Sequence, residues 1–227
     1  MTAATGYRAI LFDLDGTLLD TAPDMVAALN RLLRESGEGP VDYALARAHV
    51  SKGALGLIDL GFGQLKEARR MSLRDRYLEV YRGQLAQESR LFDGMEEVLQ
   101  HIEGNGLVWG IVTNKPGFLT DPLLDELSLL GRSAVTISGD TLPERKPHPQ
   151  PLLHAAAQIG VAPAHSIYVG DDARDIQAGN AAGMTTVTAL YGFITPDDDP
   201  ADWPADHQIE RPGDLLTIIS GPDHNTS

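Results

Sequence analysis

Two rhythms of apolar residues divide this chain. Short runs around Arg8–Phe12, Leu107–Val112, Ala134–Ile137, Ser166–Val169 and Thr185–Leu190 are apolar with little alternation, as expected of strands covered on both faces. Between and after the later runs, Met95–Ile102, Leu119–Leu130, Leu152–Ile159, a stretch ending near Ala182, and Leu215–Ile219 read as helices. Strands alternating with helices predict a parallel sheet with crossover helices, the doubly wound α/β class. One block departs from this pattern. No strand signal occurs from Asp42 to Glu88; Val41–Leu60 and Leu65–Gln87 read as helices broken at Gly53, Gly56 and Gly61-Phe62-Gly63. Ahead of that block, Met25–Glu35 carries Met25, Leu29, Leu32 and Leu33 at helical spacing, with Thr21 as candidate N-cap and Pro23 in the first turn. The expected organisation is a core of residues 1–20 and 92–227 with an inserted α-helical cap over 21–91, and Phe92-Asp93-Gly94 as the return linker. Thr195–Asp206 reads as a surface loop and Gly221–Ser227 as a loose tail.

Composition narrows the function. The chain has 227 residues, 42% of them apolar, enough for a sizeable core. Eighteen basic against 32 acidic residues give a net charge of −14. That argues against nucleic acid, which needs a basic face, and against anionic membrane surfaces. The absence of cysteine excludes disulfides and thiolate metal sites. Met1–Tyr7 has neither the basic nor the apolar segment of a signal peptide, and no apolar run approaches the ~18 residues that span a bilayer. The expectation is a cytoplasmic protein.

The chemistry gathers where strands end. Asp13 and Asp15 follow the first strand, with Gly16-Thr17 closing the turn. Thr113 and Asn114 follow the second, Lys146 comes after the third, and Asp171, Asp172 and Asp175 follow the fourth. Parallel strands place their carboxyl ends on one side, where ligands bind in such sheets, so these groups can converge. Carboxylates that close repel one another unless a cation or a shared proton intervenes, and a metal ion is the simplest cation to propose.

Asp13-Leu14-Asp15-Gly16-Thr17, Thr113-Asn114, Lys146-Pro147 and Gly170-Asp171-Asp172-Ala173-Arg174-Asp175 together resemble the four motifs of the haloacid dehalogenase-like (HAD) phosphatases. The helical insert between the first two motifs resembles the cap of the phosphoglycolate phosphatase-like branch. Val50-Ser51-Lys52-Gly53-Ala54, Trp109–Pro116 and Tyr191–Asp198 are similar to the N-acetylmuramic acid 6-phosphate phosphatases within it.

The resemblance implies roles for these residues. Asp13 would be the nucleophile that forms an aspartyl phosphate. Asp15 would act as general acid, then as general base. Thr113 and Asn114 would contact the phosphoryl group, and Lys146 would neutralise charge on it and on Asp13. Magnesium would be held by Asp13, the main-chain carbonyl of Asp15, and Asp171, since oxygen donors with positions left for water and phosphate suit Mg²⁺. Asp175 would orient a metal-bound water or Lys146; Asp172 either supports the site or serves as the acid at a helix N-terminus. The substrate would be a small phosphorylated metabolite, and the protein a monomer or homodimer. Lys52 is the foremost cap cation for a substrate anion, with Arg47 and His49 behind it. His148 reads as loop structure, and Trp109 and Phe118 as packing.

Alternatives remain on the sequence alone. A sugar phosphomutase keeps both Asp13 and Asp15. A dehalogenase needs no acid at Asp15, and a phosphonate hydrolase of this family replaces it. A non-catalytic phosphate-binding protein on the same fold would be expected to have lost a motif residue, and none is lost.

Overall fold

The computed structural model describes residues 6–221, so the expected tail beyond Gly221 lies outside the described residues. The chain opens with β1 (Ala9–Phe12) and a two-residue β2 (Leu19–Asp20). Four helices follow: α1 (Ala22–Glu35), α2 (Tyr43–Ala48), α3 (Gly53–Phe62) and α4 (Glu67–Arg82). Then come β3 (Arg90–Leu91), α5 (Met95–Gly104), β4 (Val108–Val112), α6 (Gly117–Glu126) and β5 (Thr136–Ile137). The chain closes through α7 (Gln150–Ile159), β6 (Ser166–Gly170), α8 (Ala173–Ala182), β7 (Thr185–Ala189), β8 (His207–Ile209) and α9 (Leu215–Ser220).

Six strands form one parallel sheet in the order β5-β4-β1-β6-β7-β8. The chain winds outward from β1 in both directions, so the carboxyl end of β1 lies at the switch point where doubly wound sheets bind ligands. Successive residues alternate between two buried faces. Ile10, Phe12, Ile111 and Val169 belong to one apolar cluster, with Met95, Leu99 and Leu123 of α5 and α6. Leu11, Val112 and Tyr168 belong to another, with Leu152 and Ala178 of α7 and α8. Burial on both faces explains why the strands read as unbroken apolar runs.

The structure adds to the sequence reading in three places. A sixth strand, β8, follows the stretch read as surface loop; it is three residues long, and only Ile209 is buried. β2 and β3 pair antiparallel, Leu19 with Leu91 and Asp20 with Arg90, tying together the two ends of the helical insert. The helical stretch Val41–Leu60, expected to break at Gly53 and Gly56, is α2, a 3₁₀ turn at Val50–Lys52, and α3; the chain turns at Gly53, with a φ of 72°, and α3 runs unbroken through Gly56. That turn presents Ser51 and Lys52 to the sheet.

The insert packs around its own apolar cluster. Met25, Leu29, Leu32 and Leu33 of α1 meet Leu57, Ile58, Tyr77 and Tyr81, and Leu119 and Phe193 join from the sheet side. Asp24 in the first turn of α1 fastens the returning chain, accepting from the main-chain N–H groups of Glu88 and Ser89 and from the Ser89 hydroxyl.

Candidate active site

Asp13 stands immediately after β1, its N–H bonded to Val169 O at 2.9 Å. Asp171 follows β6, and Asp175 sits in the first turn of α8. A Cβ at Gly170 would lie 2.3 Å from Asp175 Cβ, so glycine there is what lets Asp175 fold back beneath the strand end. Lys146 arrives from the loop after β5. Its ammonium lies 2.8 Å from Asp13 Oδ1 and 2.7 Å from Asp175 Oδ1, and donates to the Tyr168 hydroxyl at 2.8 Å. Tyr168 in turn donates to Val112 O at 2.8 Å. Burial acts to lower the Lys146 pKa, but the charges of Asp13 and Asp175 outweigh it and hold the ammonium above its ordinary value.

The carboxylates of Asp13, Asp171 and Asp175 each offer an oxygen within 4.8 Å of the others, and all three residues are buried. Asp13 Oδ1 accepts no hydrogen bond; its contact with Lys146 is ionic, without hydrogen-bonding angles. Burial, then the charges of Asp13 and Asp175, push the Asp171 pKa up to about 8. Burial likewise raises Asp175, to about 6, against the pull of Lys146. Three buried carboxylates facing one lysine carry more negative charge than it offsets, and their oxygens are a donor set suited to a hard divalent cation. Gly16 is required for the close packing here: its φ is 87°, and a Cβ would fall 2.1 Å from Asp171 Oδ2.

Asp15 turns the other way. Its carboxylate receives the Lys115 ammonium at 3.0 and 3.2 Å and the Thr21 hydroxyl at 2.7 Å. Thr21 thus occupies the N-cap position of α1 but makes no capping bond with its side chain; its hydroxyl serves Asp15. Thr113 Oγ1 accepts the Lys115 N–H at 3.1 Å and keeps its own proton to donate into the cavity that it lines. Asn114, expected beside the phosphoryl group, also lines this cavity. Its amide brackets the Lys146 main chain, donating to Lys146 O at 2.9 Å and accepting from Lys146 N at 3.1 Å. The side chain therefore fixes the lysine loop against β4.

On the insert side, the Ser51 hydroxyl donates to Asp171 Oδ2 at 2.7 Å and Ser51 O accepts from Arg174 at 2.6 Å. Asp172 is the N-cap of α8, forming a capping box with Asp175, and it also pairs with Arg174. Burial opposes its ionisation, but Arg174 and Lys52 hold its pKa below the usual carboxylate value. Lys52 lies 2.7 Å from Asp198 and 3.5 Å from Asp172. Burial lowers its pKa, but these two carboxylates reverse the effect and raise it. Lys52 therefore already has carboxylate partners, one from the loop that the sequence showed only as surface. Arg47 stacks on Phe193 at 4.7 Å, and His49, just past the end of α2, bonds back to Leu45 O; both lie outside the lining of the main cavity. His148 is exposed loop, and Trp109 is core packing. Phe118 differs from its expected packing role: it is 44% exposed and lines the cavity.

These groups face a cavity of about 740 Å³ between the strand ends and the insert. Lys52, Arg74, Lys115, Arg145, Lys146 and Arg174 line it with only five carboxylates, in a chain of net charge −14. Val50, Leu55, Leu78, Phe118 and Leu119 give it an apolar wall. Tyr168, Lys115, Tyr81 and Ser51 are the site residues that sequence reasoning missed. Lys115 carried a legible signal: it directly follows a strand-end Thr-Asn pair in an acidic chain. Ser51 and Tyr81 lie in helical patterns that carry no mark of contact with the sheet.

Residues 10–189 match the family model described as haloacid dehalogenase-like hydrolase. A phosphoglycolate phosphatase of Xanthomonas campestris pv. campestris (strain 8004) is 51% identical over 95% of this chain and 97% of its own length. An N-acetylmuramic acid 6-phosphate phosphatase of Pseudomonas putida KT2440 is 43% identical over 93% of this chain and 96% of its own. The crystal structure of a predicted phosphoglycolate phosphatase from Haemophilus somnus 129PT superposes with a TM-score of 0.83 at 26% identity, covering 96% of this chain and 99% of that one. With the four strand-end motifs gathered in one cavity beneath a helical insert, the chain belongs to the haloacid dehalogenase-like hydrolases and is one of their phosphatases.

Proposed function

We propose that this phosphatase hydrolyses a carboxylated sugar phosphate through an aspartyl phosphate on Asp13, with N-acetylmuramic acid 6-phosphate favoured over 2-phosphoglycolate. The observation that carries the reaction is Asp13 itself: a buried carboxylate at the switch point, with the Lys146 ammonium 2.8 Å from its Oδ1. Asp13 attacks phosphorus as the P–O bond to the leaving oxygen breaks. Asp15 gives its proton to that oxygen, then takes one from the water that hydrolyses the acyl phosphate. Thr113 donates to a phosphoryl oxygen, and Lys146 offsets the charge that accumulates between Asp13 and phosphate. Asp13, Asp171 and the main-chain carbonyl of Asp15 would hold Mg²⁺, with Asp175 fixing Lys146. The bound ion supplies charge neutralisation for the phosphoryl oxygens.

Cavity size and lining support the larger substrate. A two-carbon acid needs little of the ~740 Å³ and none of the apolar wall, whereas an acetylated sugar with a lactyl arm can use both. Among the described residues, Arg145 is the one lining cation without a carboxylate in ion-pair reach. It is therefore the cation free to meet the substrate carboxylate. The test is phosphate release from a panel of phosphorylated metabolites with Mg²⁺. Highest kcat/KM on N-acetylmuramic acid 6-phosphate is expected. Preference for 2-phosphoglycolate would overturn the substrate reading, and no release from any ester would overturn the reaction.

A further inference from the structure

The geometry points to Lys115 as a positioning residue that aligns Asp15 and makes that alignment depend on the seating of the helical insert, through Tyr81. The inference rests on the reading above, in which Asp15 carries the proton.

Two lysines are buried at the strand ends, and they divide the work. Among the described residues, the polar partners of the Lys146 ammonium are all on the sheet side: Asp13, Asp175 and Tyr168. Lys115 is shared between the sheet and the insert. Its side chain is 4% exposed. It approaches both oxygens of Asp15 at 3.0 and 3.2 Å and donates to the Tyr81 hydroxyl of α4 at 3.0 Å. It also sits 4.5 Å from the centroid of the Tyr81 ring and 3.9 Å from the Met25 sulfur of α1. An ammonium withdrawn from water keeps its place only where partners replace the hydration it loses. Among the described residues the one carboxylate partner of Lys115 is Asp15, and the rest come from the insert.

Asp15 is correspondingly over-determined. Lys115 spans its two oxygens, and Thr21, at the junction where the insert begins, donates to Oδ1 at 2.7 Å. Thr21 also faces the Met25 sulfur at 3.6 Å, so the cluster closes on itself. If the insert lifts, Tyr81 and Met25 withdraw together and Lys115 is left exposed with one partner. Seating the insert restores the cluster and fixes the rotamer of Asp15. Proton transfer needs donor and acceptor within hydrogen-bond reach, so a loose Asp15 fails at that step.

Leaving-group dependence separates this role from general structural support. An alkoxide leaving group needs the proton of Asp15, whereas p-nitrophenolate leaves largely without it. Lys115→Met should lower kcat/KM by about 10–100-fold for an alkyl sugar phosphate, up to the lower end of what general-acid catalysis contributes, since the acid is misaligned and not removed. For p-nitrophenyl phosphate it should lose less than about 5-fold, a loss too small to reflect proton transfer. Tyr81→Phe keeps the ring, removes only the hydroxyl, and should show the same preference at smaller size. In an Asp15→Asn background, Lys115→Met should cost nothing further on either ester. Equal losses on the two esters, or an undiminished loss in the Asp15→Asn background, would overturn the proposal. Should Lys115→Met fail to fold, Tyr81→Phe alone decides it by the same ratio. The outcome is separable from the reading of Asp15. If Asp15→Asn itself shows no extra loss on the alkyl ester, the acid assignment fails, whatever Lys115 does.

Discussion

Removing one charge from the acidic cluster should make the metal-free protein more stable. Asp171 is buried and shares a 4.8 Å cluster with Asp13 and Asp175. Burial and those charges raise its pKa to about 8, and burial raises Asp175 to about 6. Both values lie above the ~3.9 of an aspartate in an unfolded chain. From about pH 4 upward the folded chain therefore retains protons that the unfolded chain has released. The resulting stabilisation is present at low pH and is lost as pH rises through about 6 and then about 8. Two unit charges at this separation repel by ~3–4 kcal/mol at an effective dielectric near 20. Lys146 offsets part of the repulsion, leaving on the order of 2 kcal/mol for Asp171. Asp171→Asn keeps the shape and the acceptor for Phe193 N–H and the Ser51 hydroxyl, and its new NH₂ faces Thr17 Oγ1, which can accept. With chelator at pH 8.5, Tm should rise by about 4–8 °C. The gain should shrink steadily as pH falls below about 8 and vanish only at about pH 4, where folded and unfolded chains are both protonated at this position. Magnesium should raise the Tm of the wild type at pH 8.5 but not that of the variant. No gain at pH 8.5, or an equal gain at pH 5, refutes the charge argument. An undiminished magnesium shift in the variant refutes Asp171 as a ligand.

Asp13→Asn should fold as the wild type does and lose turnover entirely, read as phosphate release from protein checked by mass for deamidation. Arg145→Met should lower kcat/KM for the carboxylated sugar phosphate by about 10-fold, the low end for a charge-assisted contact, and leave p-nitrophenyl phosphate hydrolysis nearly unchanged; equal effects would remove Arg145 from the substrate site. Lys52→Ala, whose cation is paired with Asp198 at 2.7 Å, should lower kcat/KM for both esters by the same few-fold factor, as expected of a partly exposed pair worth under ~1 kcal/mol. A loss confined to the carboxylated ester would return Lys52 to substrate binding.

The sheet was readable because its strands are short, wholly buried and punctuated at the carboxyl end. Ala9–Phe12 lies entirely in the core, and Asp13 follows at once. The motifs were readable because each is local: the residues from Asp171 to Asp175 declare a cap and a cluster within five positions. Contacts across the cavity were not readable. Ser51 to Asp171 and Lys52 to Asp172 each span 120 residues, and Lys115 to Asp15 spans 100. Nothing in helical periodicity says which exposed-looking position of the insert will meet the sheet. Lys52 shows the consequence. As a lone cation in a Gly-flanked turn it looked free for substrate, whereas its partner Asp198 belongs to a loop whose direction the sequence leaves open. Thr21 shows another: an N-cap residue is recognisable by position, but whether its hydroxyl serves the helix or a neighbouring carboxylate depends on what the fold brings beside it.

The charge around Asp13 carries a further consequence for binding order. Above about pH 8, where Asp171 has also ionised, Asp13, Asp171 and Asp175 bring three negative charges against the single ammonium of Lys146. Lys115 does not relieve this, because both oxygens of Asp15 already engage it. A phosphate dianion therefore approaches a centre of net charge near −2, and the outer cations of the cavity cannot cancel that at contact distance. In the proposed reading a divalent ion brings the centre to neutrality, so metal and phosphate must each tighten the other's binding. By linkage the two enhancements are equal. Titrating magnesium with and without inorganic phosphate, on Asp13→Asn protein to prevent turnover, measures that coupling with one charge already removed. The wild type with phosphate, which is product and not consumed, should show the larger coupling. Magnesium affinity indifferent to phosphate in both proteins would mean that the ion binds away from the phosphoryl site.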